Sequence, residues 1–321
     1  MIRVGILGCA SIARRSLAPA FLAHPEFVLY AVASRTKKKA MEFVSGLSAK
    51  NDIKTFSYDE LVLSHDVDLV YCPLPTGLHY EWVKKCLLSG KNVLCEKSLA
   101  CSYDEVLELV QIARRLGLFL MESFQFRFHA QNVYVKRLLE SGELGDVRHV
   151  VARFGFPPFP DGSRNIRYSK SLGGGALLDA GAYVVKVSAY LLGCDLRVLS
   201  AVGWSDNEDV DLDGAVMLNS ATGAVAQIAY SFHSQYQCGY ELWCEKGIVV
   251  TTRAFTAPPG FPAKVSVTKD KESVVYSFAD NHFQRMLDYI AKSIANKQFE
   301  AEYCESLEQA RIMEAIRVHQ R

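Results

Sequence analysis

The chain opens with a short apolar run that passes directly into small residues: Arg3-Val4-Gly5-Ile6-Leu7-Gly8-Cys9-Ala10-Ser11-Ile12-Ala13-Arg14. Val4, Ile6 and Leu7 read as a buried strand, and Gly8 to Ala13 as a tight turn into a helix, of the form G-x-A-x-x-A. No other stretch limits the possible folds as strongly, because each small residue meets one demand of a pyrophosphate-binding strand-turn-helix. Gly8 permits the turn, Ala10 lets the backbone approach phosphates, and Ala13 allows the helix to pack closely on the strand. The first-turn N–H groups of that helix, with its dipole, would hold the phosphate oxygens, which adds Cys9, Ser11 and Ile12 to the candidate cofactor contacts. Taken alone, the same pattern also suits an ordinary strand-turn-helix, so the stretches that follow have to decide.

Phe27-Val28-Leu29-Tyr30-Ala31-Val32-Ala33 is continuously apolar, as expected of a strand buried on both faces. It ends in Ser34-Arg35-Thr36-Lys37-Lys38-Lys39, about 20 residues past the glycine turn, where a dinucleotide fold reads the ribose. An acidic residue there would bind a 2′-hydroxyl. Ser34, Arg35 and Lys38 suit a 2′-phosphate instead, Arg offering the planar fork that a phosphate accepts. NADPH/NADP is therefore expected over NAD; the alternative is a solvated basic helix start.

Strands then alternate with helices: strand 68–72, the turn Pro73-Leu74-Pro75-Thr76-Gly77, helix 78–89, strand 92–95, helix 103–116 and strand 118–121. This alternation predicts a parallel, doubly wound sheet over 1–122 and turns the fingerprint from a pattern into a site. Ligands of such sheets bind at the carboxyl ends of the strands. Cys72-Pro73-Leu74 and Cys95-Glu96-Lys97 lie at those ends, beside Gly8.

Residues 123–321 read differently. Helix 130–141 precedes strand 147–156, an irregular Pro-rich loop and helix 175–192. Strand patterns follow at 198–204, 214–219, 224–232, 240–244, 248–252, 264–268 and 273–278. Ser220-Ala221-Thr222-Gly223 and Glu245-Lys246-Gly247 mark hairpin turns. Successive strands without crossover helices predict an α+β domain with an open, mainly antiparallel sheet. Helices at 282–295 and 306–319 close the chain, the last one able to pack back on the first domain.

The 321 residues suit about two domains of roughly 150 each. A net charge of +1 argues against a nucleic-acid surface. No apolar run approaches the ~20 residues of a membrane helix, and no signal-peptide layout opens the chain. The nine cysteines are scattered without a C-x-x-C pair, which predicts reduced thiols, no metal site and a cytoplasmic location.

Lys97 stands at the mouth of a buried strand, where it would meet a substrate oxygen or simply pair with Glu96 at the surface. In Gly173-Gly174-Gly175-Ala176-Leu177-Leu178-Asp179-Ala180-Gly181-Ala182-Tyr183-Val184-Val185-Lys186, the polar residues Asp179, Tyr183 and Lys186 recur at i, i+4 and i+7. They form either a catalytic stripe or a solvent face. A tyrosine can donate the proton that a carbonyl oxygen takes up after hydride transfer, and a nearby ammonium would lower its pKa. His79 reads as a cap or supporting group, and His129 as a structural residue or one lining the cleft.

Four motifs together, G-I-L-G-C-A-S-I-A, V-Y-C-P-L-P-T-G-L-H-Y-E-W-V, L-C-E-K-S-L and G-G-G-A-L-L-D-A-G-A-Y, resemble the glucose–fructose oxidoreductase and inositol dehydrogenase (Gfo/Idh/MocA) superfamily. Within it, N-I-R-Y, Y-E-L-W and R-A-F-T-A-P-P are similar to NADPH-dependent nucleotide-sugar 3-ketoreductases of deoxysugar biosynthesis. The resemblance spans nearly the whole chain and implies a Rossmann domain followed by an open sheet. It implies that Lys97 contacts substrate and nicotinamide, that Tyr183 is the proton donor and that Asp179 lines the same site. His79 and Glu96 join the cofactor residues, while His129, Arg167, Arg253 and Phe255 join the substrate residues. Ser98 departs from the pattern, standing where the family usually has Pro, commonly after a cis peptide. The resemblance also implies a homodimer or homotetramer and a small-molecule substrate, a nucleotide sugar or sugar, with neither nucleic acid nor membrane as partner. An aldose or trans-dihydrodiol dehydrogenase of the same superfamily, and a non-catalytic NADP-binding protein, are the alternatives.

Overall fold

The computed structural model describes residues 1–49, 52–160, 165–205 and 210–320. Contacts divide the chain into two units: Met1–Ser123 with Phe283–Leu307, and Phe124–His282 with the residues from Glu308 onward. Part of the Pro-rich loop, 161–164, lies outside the described residues.

The first unit is built on six strands, β1 (Ile2–Leu7), β2 (Phe27–Ala33), β3 (Lys54–Phe56), β4 (Leu69–Cys72), β5 (Asn92–Glu96) and β6 (Leu120–Ser123). They pair in parallel in the order β3-β2-β1-β4-β5-β6, the doubly wound order whose direction reverses between β1 and β4. All of β4 and the centre of β5 are buried, which accounts for their unbroken apolar sequences. Helices α1 (Ala18–Ala23), α2 (Lys37–Ser45), α3 (Tyr58–Leu63), α4 (His79–Leu88) and α5 (Tyr103–Leu116) connect the strands. Capping boxes at Ser57/Glu60 and Ser102/Glu105 start α3 and α5 by satisfying the first N–H groups reciprocally.

Between the fingerprint turn and α1, Ala13–Leu17 form a π-helical turn, and the Ala18 N–H reaches back to the Ala13 carbonyl. Pro19 supplies the reason: it has no N–H to continue an α ladder, and its ring crowds the carbonyl four residues earlier. β3 and α3 were not expected, being short and mixed in polarity. β6 begins two residues later than predicted, because Gly117 adopts φ 63° and the Leu118 N–H closes the end of α5 on Ala113.

The second unit holds α6 (Ala130–Glu140), β7 (Val147–Gly155) and α7 (Ala182–Leu192). Seven further strands follow: β8 (Arg197–Trp204), β9 (Asp213–Asn219), β10 (Val225–Ser231), β11 (Gln237–Cys244), β12 (Gly247–Thr251), β13 (Pro262–Lys269) and β14 (Glu272–Ala279). With β7 they form one sheet in the order β14-β13-β12-β11-β7-β10-β9-β8. Every pairing is antiparallel except β7 with β10. Alternate residues of one face are buried, among them Val150, Ala152, Phe154, Ile228, Tyr240 and Val265. The expected hairpins β9–β10 and β11–β12 form at their predicted turns. A further one, β13–β14, turns on Asp270 and Lys271, both with positive φ.

The stretch Lys170–Leu192 is, by length and composition alone, apolar enough to cross a membrane, but it carries Asp179 and Lys186 and most of it is buried, as in the core helix of a globular unit. Two helices close the described chain, α8 (His282–Asn296) and α9 (Glu300–His319). α9 starts six residues before its predicted position. Its first turn carries Glu300 and Glu302, which favour the positive end of the helix dipole but offered no apolar period to detect.

Candidate active site

In the first unit, the fingerprint turn lies against the end of β2. The Gly8 N–H donates to the Ala33 carbonyl at 3.0 Å, and the Cys9 thiol reaches the Lys39 carbonyl at 3.6 Å. Burial raises the pKa of that thiol. Gly8 has φ +125°, and a Cβ there would come within 2.8 Å of the Leu74 side chain. Glycine is thus required both by conformation and by the close approach of the turn that follows β4. Ala10 and Ile12 are half-buried and Ser11 is exposed at the start of the helical segment. Ser34 is buried at the end of β2, while Arg35 and Lys38 are exposed beside it, with Thr36 capping α2. A loop of small residues, an open helix start and two exposed cations fit a dinucleotide with a 2′-phosphate.

The loop carrying Lys97 is fastened on both sides of it. Glu96 accepts a hydrogen bond from the Tyr71 hydroxyl at 2.8 Å, and burial raises its carboxyl pKa against the effect of that bond and of Lys97. The Lys97–Ser98 peptide is cis although residue 98 is not proline. The Ser98 carbonyl lies 2.7 Å from His79 Nδ1, and the Leu99 N–H donates to the Glu122 carboxylate at 2.9 Å. Tyr71 and Glu122 were missed from sequence. Their signal was a phenol and a carboxylate inside otherwise apolar strands.

His79, expected as a cofactor contact, is fully buried and both ring nitrogens face backbone carbonyls, of Ser98 and of Leu74, each at 2.7 Å. The structure therefore makes it a tie between loops rather than a surface of the site. Cys72, on β4, and Cys95, its cross-strand partner on β5, approach the same ring, and the three ligand atoms lie within 4.8 Å of one another. With both imidazole nitrogens turned to carbonyls, the group packs as core, and burial holds the Cys95 thiol well above its ordinary pKa.

In the second unit, Tyr183 is 6% exposed and set among rings: Phe154 at 5.1 Å, Phe124 at 5.6 Å, Phe255 at 5.8 Å and Phe126 at 6.1 Å between centroids. Lys186, also buried, lies over the Phe124 ring at 5.5 Å. The polar stripe therefore lines an aromatic interior instead of a solvent face. Leu177–Gly181 form a π-helical turn immediately before Tyr183, a distortion that re-aims side chains and is frequent at functional sites.

Asp179, within that turn, pairs with Arg167 at 2.5 Å. The pairing depends on the glycine run. The Gly175 N–H donates to the Arg167 carbonyl at 2.8 Å, and a Cβ on Gly174 would lie 2.5 Å from the same oxygen. Asp211, unforeseen from sequence, accepts from the Leu177 N–H at 2.6 Å, while its own carbonyl accepts from Ala176 at 2.8 Å. Burial raises its carboxyl pKa. It thus anchors the start of the segment that carries Asp179 and Tyr183.

Two substrate candidates are buried. His129 is 1% exposed; its Nδ1 caps α6 by accepting from the Gln131 N–H, and its ring packs on His282 at 5.5 Å. Phe255 is fully buried behind Tyr183. Both follow from the apolarity of this interior, which takes up rings that looked, in sequence, free to line a cleft. Arg253 remains at the surface with φ 53°, its guanidinium over the Tyr236 ring at 4.5 Å.

Comparison with known proteins matches residues 2–124 to an oxidoreductase family with an NAD-binding Rossmann fold, and residues 133–250 to the GFO/IDH/MocA C-terminal domain. The dTDP-3,4-didehydro-2,6-dideoxy-alpha-D-glucose 3-reductase of Saccharopolyspora spinosa is 41% identical over 269 residues, 84% of this chain and 80% of that one. A D-xylose 1-dehydrogenase (NADP(+)) of Haloferax volcanii is 32% identical over 90% of this chain and 88% of its own. Among solved structures, a 3-ketoreductase from Actinomadura kijaniata in complex with NADP and TDP-benzene superposes with a TM-score of 0.92, at 33% identity, over 99% of this chain and 97% of that one. That reductase has also been solved with a lysine changed to alanine and with a tyrosine changed to phenylalanine. The chain belongs to the GFO/IDH/MocA oxidoreductase family.

Proposed function

We propose that this protein reduces the 3-keto group of a nucleotide-linked deoxyhexose of the dTDP type, using NADPH. The observation that carries the reading is the chain-long likeness to 3-reductases of that class. When bound, NADPH supplies the hydride for the carbonyl carbon. The N–H groups at Ser11 and Ile12 hold the pyrophosphate, and Arg35 with Lys38 holds the 2′-phosphate. The Lys97 ammonium hydrogen-bonds the carbonyl oxygen and lowers the pKa of the Tyr183 phenol, which passes its proton to that oxygen. The Arg167–Asp179 pair binds a sugar hydroxyl, and Arg253 faces the diphosphate. Lys97 belongs to the first unit and Tyr183 to the second.

The outer face of the large sheet exposes Val202, Trp204, Met217, Trp243, Ile248 and Val250. We read this face as the surface on which two copies pair, a matter for light scattering.

The test is turnover of dTDP-linked 3-keto sugars against free xylose and glucose, with NADPH and NADH in parallel. Consumption of NADPH with the nucleotide sugars alone is the expected result. The xylose dehydrogenase among the relatives favours a second reading, oxidation of a free aldose, and turnover confined to free sugars establishes it. Cofactor binding without turnover of either class leaves a non-catalytic NADP-binding protein.

A further inference from the structure

Two loops at the carboxyl ends of neighbouring strands meet at one imidazole, and a third lies against one of them. The turn after β4 presents the Leu74 carbonyl to His79 Nε2, and the loop after β5 presents the Ser98 carbonyl to Nδ1. The Leu74 side chain in turn rests against Gly8 of the turn after β1. His79 is the first residue of α4, so the ring is carried on a helix, a firmer mount than either loop. The ring itself is completely buried.

We infer that His79 is a positioning residue that aims Lys97 through its contact with Ser98 and seats the cofactor turn through its contact with Leu74. The inference rests on the reading of Lys97 as a substrate-contacting group. A neutral imidazole carries one N–H and donates to one of the two carbonyls at a time, whereas the doubly protonated ring holds both. Each nitrogen has a carbonyl oxygen at 2.7 Å, the geometry of the doubly protonated ring, whose two hydrogen bonds oppose the burial that lowers its pKa; held so, the two nitrogens serve two separable tasks, one belonging to turnover and the other to cofactor affinity.

Asparagine places its amide nitrogen near the position of Nδ1, and glutamine places its own near Nε2, so each keeps one donor. With His79→Asn, kcat is expected within about threefold of the unaltered enzyme while KM for NADPH rises about tenfold, the worth of one hydrogen bond of ~1.4 kcal/mol. With His79→Gln the pattern is expected to invert: kcat falls about tenfold and KM for NADPH stays within about threefold. Equal effects of the two variants on both parameters, or a split of the opposite sense, overturn the inference. Lys97→Met, assayed alongside, separates this from the parent reading: turnover unchanged in Lys97→Met sinks the role of Lys97 itself, whatever the His79 variants do. Should either variant fail to fold, isotope-labelled histidines in the unaltered protein give a second readout. A solvent-protected ring proton on His79 that shifts on NADP binding is expected, and a freely exchanging one that NADP does not move refutes the proposal.

Discussion

Around Lys97 the neighbouring groups are each held by a directed hydrogen bond from another element: Tyr71 to Glu96, His79 at Ser98, Leu99 to Glu122. Around Tyr183 the work falls to shape, with four phenylalanine rings packed against one phenol and the helix start anchored on Asp211. Net hydrogen bonds contribute about 1 kcal/mol each and fix direction within tenths of an ångström. A buried ring contributes about 3–5 kcal/mol but tolerates more sliding. The first arrangement fastens the loop that carries a flexible ammonium; the second packs a rigid phenol among rings. Loss of a bond that holds the Lys97 loop, or of the phenol's own hydroxyl, is therefore expected in kinetics, and loss of a ring packed on that phenol in stability.

The largest test of that contrast is Tyr183→Phe, which keeps the ring and removes the proton. Turnover is expected to fall about 10²–10⁴-fold with the melting temperature nearly unchanged, as read by NADPH consumption and thermal denaturation. A melting temperature that collapses with activity would show that the hydroxyl is structural. Phe255→Ala, which takes away a ring behind the phenol, is expected to cost about 3–5 kcal/mol in denaturant unfolding. If that variant instead unfolds normally and loses only turnover, the division of labour is mistaken.

Acid sharpens the same line. Burial, with the neighbouring His129, draws the pKa of His282 down to about 3, partly opposed by Asp280. From pH 6.5 down to that value the unfolded chain takes up a proton that the folded one refuses, so stability falls as pH drops, by up to about 1.4 kcal/mol per pH unit from this group. His282→Gln should flatten the acid limb of the stability curve; an unchanged limb places the sensitivity elsewhere. The smallest effect is expected from Arg35→Ala, an exposed cation. KM for NADPH should rise about tenfold while KM for NADH stays put, and equal change in both would remove the 2′-phosphate from its role.

Much of this was legible in the chain because the demands were local. The strand-turn-helix at Gly8, the basic residues after β2 and the alternation up to residue 122 follow from spacing and residue size alone. The parallel pairing of β7 with β10 did not, since antiparallel neighbours and a parallel join read alike along one strand. Nor did the fates of His129 and Phe255, which depend on which rings a distant segment brings beside them. Asp211 was hidden for a related reason: it acts on a backbone N–H group, which carries no sequence signature. Ser98, a departure from the family's pattern, sits at a cis peptide all the same.

The segment Phe283–Leu307 completes the first unit although it is made after the whole second sheet. Phe299 packs on Phe119, and the Tyr303 hydroxyl donates to the Leu118 carbonyl. On the ribosome, then, the dinucleotide half waits unfinished until translation has passed the other half. A fragment cut after Ser123 would expose the apolar seat of those helices, and any gene fusion meant to borrow the cofactor half must splice both pieces together. A chain terminated before Phe283 accordingly lacks pieces of both units.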